Sequence, residues 1–166
     1  MYEFALLLAQ TAAVFFITAW LSTGVYENLF KPALNSTFTA QVLDMERMRE
    51  EYPEAYVEVA HRRISNQSTQ LLLFRLIVLW EIIAVVILWF ATVVMITALF
   101  NGVDAQFARG LGILGALLFT STWAGFLIVG NWFCYWFCHF EAQNTHFQMT
   151  LWGMATLIFL AVAGCG

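Results

Sequence analysis

The chain has 166 residues, 61% hydrophobic, 17% aromatic and only 11% charged, with a formal net charge of −4. An acidic chain without a basic run is excluded as a nucleic-acid binder, because phosphate partners demand clustered Lys or Arg, and polybasic recruitment to anionic lipid is excluded with it. The length suits a single domain, 1–166, and the mean hydropathy of +0.75 points to a lipid setting.

The first apolar run, at about residues 4–21 (FALLLAQTAAVFFITAWL), follows Met1-Tyr2-Glu3. It has no basic n-region and no clear small-residue cleavage site, so it is expected to be a retained span rather than a signal peptide. Gln10, Thr11 and Thr18 within it need hydrogen-bond partners on other helices.

Residues 22–70 form the only long hydrophilic stretch. Met45, Met48, Tyr52, Tyr56 and Val59 recur there at helical intervals among charged residues, which predicts one or two amphipathic helices, broken near Pro53, on the membrane surface or on the bundle. Asn35-Ser36-Thr37 and Asn66-Gln67-Ser68 fit the glycosylation triplet, a pattern common by chance.

The second span, about 71–100, carries only two charges, Arg75 and Glu81. At about 1.5 Å per residue it would reach roughly 45 Å, enough for a bilayer core and both interfaces. A third span is expected at about 110–137 and a shorter fourth at 147–162, joined by a polar connection over 138–145. Gly112, Ala116, Thr120 and Ala124 fall four apart, and Ala84 and Ala91 form a seven-residue stripe on the second span. Such small-residue seams let helices approach closely where lipid removes the hydrophobic drive, so spans two and three are expected to pack along them. The run Trp132–Phe137 reads as an interfacial aromatic belt. The fold class is therefore all-α: a polytopic bundle of four transmembrane helices, with an amphipathic extramembrane loop between the first two. The loop holds five Lys or Arg (Lys31, Arg47, Arg49, Arg62 and Arg63), so a positive-inside count places it in the cytoplasm.

Asn28-Leu29, Val42-Leu43-Asp44-Met45-Glu46, Leu76–Glu81 with its Trp80-Glu81 pair, Gly110–Gly115 and Gly125–Gly130 followed by Trp132-Phe133 occur in this order along most of the chain. Together they resemble the bacterial small integral membrane proteins of domain-of-unknown-function family 2165. Family members carry an acidic residue before the Trp-Phe pair, where this chain has Asn131. The resemblance implies a four-span protein of the bacterial inner membrane with cytoplasmic termini, opposite to the charge count, and it implies no activity.

Charged side chains inside a bilayer are costly and need partners or water. Arg75 and Glu81 are about 120° apart on a helix and do not face each other. The topology gathers Glu27, Asn131, His139, Glu141 and His146 at their end of the bundle, so a polar cluster is expected there. Arg75 is expected to pair with Glu27 or Glu141, while Glu81 lies deeper and is expected to be protonated or to accept from Trp, Tyr or Asn.

Cys134, Cys138 and Cys165 make no disulfide framework and read as apolar filler. The C-x3-C-H spacing of Cys134, Cys138 and His139 matches no dedicated metal motif, so neither a metal nor any other cofactor is expected. With no nucleophile–base pair or phosphate loop, the chain reads as a non-enzyme. The preferred function is an accessory or assembly subunit of a larger membrane complex, respiratory or otherwise energy-converting, or a self-associating bundle. Its partners would be lipids and other membrane subunits or copies of itself. The alternative is a small transporter or binder of an apolar molecule, a quinone or a lipid, using Glu81.

Overall fold

The computed structural model describes residues 1–162. Cys165, read above as filler, lies outside them. Eight α-helices form in the described chain: α1 Tyr2–Phe30, α2 Pro32–Leu43, α3 Glu46–Glu51, α4 Pro53–Val59, α5 Gln67–Leu99, α6 Ala105–Trp132, α7 Tyr135–Cys138 and α8 Phe140–Ala161, with a 3-10 turn at Ala60–Arg62. The four long helices form the bundle. α6 packs most extensively on α8, α5 lies between α1 and α6, and α1 closes the ring against α8. Three of them, α1, α5 and α6, are long and apolar enough to cross a membrane.

Each helix boundary has a local cause. Asn66 caps α5 by accepting from the Thr69 amide at 2.9 Å, and Asp104 caps α6 by accepting from the Phe107 amide at 2.8 Å. Pro32 and Pro53 stand in the first turns of α2 and α4, where a missing N–H costs nothing. Met45, between α2 and α3, and Cys134, between α6 and α7, adopt left-handed backbone with φ of 51° and 55°.

Several boundaries depart from the sequence expectation. α1 runs nine residues past Leu21 because Ser22–Phe30 stays helical despite its polar content. The third span ends at Trp132 rather than residue 137, since the left-handed Cys134 turns the chain into α7. Most of the expected polar connection 138–145 is instead the start of α8. The amphipathic stretch forms two short helices, α3 and α4, divided at Pro53 as expected, with α2 an additional helix before them, while Met45 sits in the bend before α3 rather than on a helix.

The bundle core is Leu7, Val14, Ile17 and Leu21 of α1 against Ala84, Leu88 and Met95 of α5, with Ala116, Phe119 and Leu160 from α6 and α8. The small residues act at close approaches. A methyl added at Gly112 would lie 2.9 Å from the Met95 sulfur, and one at Gly115 2.9 Å from Leu88 Cδ2. At Gly153 it would overlap the Thr120 hydroxyl. Gly112 thus serves the α5–α6 contact, while Thr120 serves α6–α8. Ala84, Ala91 and Ala116 are fully buried, and Ala124 is only partly so.

Polar groups inside the bundle pair across helices, as an apolar surround demands. The hydroxyls of Thr18 and Thr92 stand 3.2 Å apart, Trp80 Nε1 donates to Thr122 Oγ1 at 3.0 Å, and Trp89 Nε1 donates to Ser22 Oγ at 3.0 Å.

A second core forms where α2–α4 fold over one end of the bundle. Leu43, Met45 and Met48 pack there on Phe133, Cys134 and Cys138. Asp44 organises this cap: its carboxylate accepts from Arg63 Nε at 2.9 Å and from Arg49 Nη1 at 3.3 Å. The Ile64 amide donates to Leu43 O at 2.9 Å, and Gln70 Nε2 donates to Ile64 O at 2.7 Å, which stitches the returning chain to α5.

Candidate functional site

The capped end encloses a cavity of about 260 Å³. Its walls come from α1, α2, α5, α6, α7 and α8, so it sits beneath the cap at the head of the bundle. Glu81 projects into it from the core-facing stripe of α5 that also carries Ala84 and Leu88. Only 5% of Glu81 is exposed. Asn28 on the last turns of α1 donates from Nδ2 to Glu81 Oε2 at 2.7 Å. Its amide oxygen accepts from Asn35 Nδ2 of α2, also at 2.7 Å. A carboxylate acceptor fixes which way the Asn28 amide points, and that leaves its oxygen for Asn35. The break at Lys31–Pro32 makes the relay possible, because it lets α2 turn back so that two asparagines seven residues apart meet.

Much of the remaining lining is aromatic. Five rings that line the cavity form a continuous arc, each in contact with the next. Phe38 meets Tyr135 edge-on at 6.4 Å between centroids, and Tyr135 stacks on His146 at 5.7 Å with 20° between planes. His146 lies 5.0 Å from Phe126, which lies 5.8 Å from Trp123. Gly24 adds space: nothing lies within 4 Å of a methyl placed there. Trp123 Nε1 and His146 Nδ1 are buried without hydrogen-bond partners, so neither ring nitrogen engages Glu81. Among the described residues Glu81 is the only acidic one that lines the cavity, and no Lys or Arg lines it.

Of the polar residues expected to cluster, Glu81 and His146 line this cavity. His139 is buried just behind it, 5.2 Å from the Phe38 ring and 5.4 Å from Tyr135. Burial lowers its pKa, and the charge of Arg47 adds to the effect while Glu51 opposes it. Burial likewise pushes the Tyr135 hydroxyl up to about 12, which keeps it protonated at neutral pH. Glu27, Asn131 and Glu141 are exposed. Arg75 is exposed as well and forms no ion pair with Glu27 or Glu141 among the described residues; it lines a groove of about 330 Å³ on the outer face of α5. Asn28 and Phe74 line both that groove and the cavity, so they form the partition between them.

Cys134 and Cys138 are buried in the cap core rather than in the cavity. Arg62 covers this edge. Its guanidinium lies 4.7 Å above the Trp132 ring, and Nη1 donates to Trp132 O at 3.2 Å and lies 4.0 Å from Cys134 Sγ. Among the described residues no three His, Cys, Asp or Glu side chains converge as metal ligands.

Two features were not visible in the sequence. Asn28, Asn35, Trp123 and Tyr135 complete the cavity, yet no spacing rule connects them, since they lie on four different helices. At the far end of the bundle Arg109 is 7% exposed, with Nε donating to Gln10 Oε1 at 3.0 Å and Nη2 to Glu3 Oε2 at 3.4 Å. Gln10 in turn donates to Phe159 O at 2.8 Å. A charge at the first turns of a helix that looked like a flank is in fact a buried tie between α1, α6 and α8.

Comparison with curated proteins and with solved structures gave no match. A family model described as predicted small integral membrane protein (DUF2165) matches residues 6–163, a description that names no catalytic activity. That match covers nearly the whole chain and agrees with three helices able to cross a membrane, so the chain is a multi-helix integral membrane protein and belongs to this family.

Proposed function

We propose that the protein is a non-catalytic binder, within the membrane, of a small and mainly apolar molecule held by its polar end at Glu81. The observation that carries this reading is the cavity: a buried carboxylate, held by a two-asparagine relay, in a lining that also holds an arc of aromatic rings. Ligand sites are concave, mostly apolar and furnished with few polar groups, and this cavity has that make-up. A polar cluster serving only to fix helix register would have its space filled, as the Thr18–Thr92 and Trp80–Thr122 contacts do.

In this reading α8 is a fourth, short span, because it packs along α6 through most of its length. The cap of α2–α4 lies outside the hydrocarbon, with its Asp44–Arg63 and Arg47–Glu51 pairs in water. The membrane is the bacterial inner membrane. The outer groove beside Arg75 shares Asn28 and Phe74 with the cavity, which supports entry from the lipid side.

Purification in mild detergent, followed by mass spectrometry of the intact protein, tests the proposal. A co-purifying small molecule lost in Glu81→Gln, with the oligomeric state unchanged, is the expected result. An empty cavity together with a stoichiometric protein partner would overturn it in favour of an accessory or assembly subunit.

A further inference from the structure

Given that the cavity is a ligand site, its lining also specifies the charge of the ligand. Among the described residues Glu81 is the only formally acidic lining group, and no Lys or Arg lines the space to neutralise it. Only one side-chain donor, Asn28 Nδ2, meets its carboxylate among the described residues. Trp123 Nε1 and His146 Nδ1, on two other lining residues, are buried and make no hydrogen bond among the described residues. A carboxylate in such a setting lacks the partner that burial of an anion requires.

The aromatic part of the lining supplies a second thing that an organic cation needs. The Phe38–Tyr135–His146–Phe126–Trp123 arc presents successive π systems, four of them from Phe, Tyr or Trp, and ring quadrupoles attract a cation placed against them. An anionic head would meet Glu81 with no cation to offset the repulsion. A neutral head would suit the acid only in its protonated form. A cation satisfies the ionised carboxylate and the ring faces together. The volume, about 260 Å³, restricts the occupant to a compact molecule.

We infer that the cavity binds a small lipophilic organic cation, a quaternary ammonium or protonated amine, with the charge between the Glu81 carboxylate and the aromatic arc.

The test uses the full-length protein in detergent and two probes of nearly equal shape: benzyltrimethylammonium and its uncharged carbon isostere, 2,2-dimethylpropylbenzene. Calorimetric titration compares wild type, Glu81→Gln and Gly24→Leu. The Gln side chain keeps the shape of Glu81 and can keep a hydrogen bond with Asn28, whereas the Leu side chain fills cavity space from α1 and leaves residue 81 itself unchanged. The expected result is that wild type binds the cation, Glu81→Gln loses at least about tenfold of that affinity while binding the isostere unchanged, and Gly24→Leu weakens both probes. Unchanged isostere binding in Glu81→Gln also shows that the variant is folded. Cation binding of equal strength in Glu81→Gln would overturn the inference. So would isostere binding without cation binding in wild type, an outcome that leaves the cavity standing as a ligand site. Binding of neither probe to folded wild type would overturn both readings.

Discussion

Asn28 joins a buried acceptor on one side to a half-buried donor on the other. Replacing it by Leu leaves the Glu81 carboxylate without its side-chain donor and Asn35 without its acceptor. A buried polar group that loses its partner costs about 1–3 kcal/mol, so Asn28→Leu is expected to lower the unfolding free energy in detergent by that amount. Asn35→Ala removes only the outer link, and its loss should be the smaller of the two. A different titration belongs to His139. Its folded-state pKa is depressed below the ordinary 6.5, so the unfolded chain binds the proton more readily. The sign follows: stability is full above 6.5 and falls as pH drops from there through the lower folded value. Thermal unfolding of wild type between neutral pH and about pH 5 should show this fall, and His139→Phe should show a shallower one. Equal slopes in the two proteins would place the pH dependence elsewhere. Glu81 was legible as a lone carboxylate in an apolar span. Its partner was not, because Asn28 lies beyond the apolar run that seemed to end the first span. Asn35 and Asn66 read as a glycosylation pattern; one is the outer link of the relay and the other caps α5.

Among the helices, the tightest approach is between α6 and α8. A Cβ at Gly153 would overlap the Thr120 hydroxyl and come within 3.1 Å of the Phe119 ring, so Gly153→Ala must push α8 outward. Overpacking of this kind costs about 1–3 kcal/mol. Gly110→Ala and Gly125→Ala meet nothing within 4 Å and replace a poor helix former by a good one; they should be neutral or stabilise by up to about 1 kcal/mol. Melting temperatures of the three variants, measured side by side, separate steric contact from propensity. A destabilising Gly125→Ala would contradict the assignment of contacts. The long helices were plain in the sequence because lipid leaves a continuous apolar run as the only solution. The end of α6 was not, since the left-handed residue there is Cys134, and neither Gly nor Pro marks the break. The same hidden turn moves Tyr135 from an expected surface belt into the cavity wall, while Trp132 and Trp136 on either side of it remain exposed.

Across the whole molecule, polar structure is divided between two ends. The capped end holds the cavity, and the far end holds Arg109, Gln10 and Glu3 in a tie between three of the four long helices. Gln10→Leu removes both the acceptor for Arg109 and the donor to Phe159 O, and leaves the buried guanidinium with Glu3 alone. A lost hydrogen bond to a charged group is worth about 1.5–3 kcal/mol. Arg109→Met, which removes the charge itself, should cost much less. Unfolding curves of the two variants check the order, and ligand binding by Arg109→Met should stay at the wild-type level because the two ends share no side chain. The general plan of apolar helices with one hydrophilic excursion was legible from hydropathy. That the excursion roofs a cavity was not, because its buried face is made of Leu43, Met45 and Met48 meeting Phe133, Cys134 and Cys138 from the distant half of the chain. That distance has a consequence for biosynthesis. A nascent chain released as far as Trp132 already holds three long helices together with Glu81 and Asn28. It still lacks Tyr135 and His146, which close the ring arc, and the Cys134 and Cys138 side chains on which the roof rests. The carboxylate is therefore synthesised before its chamber can close, and a chain truncated before His146 lacks the ring that joins Tyr135 to Phe126.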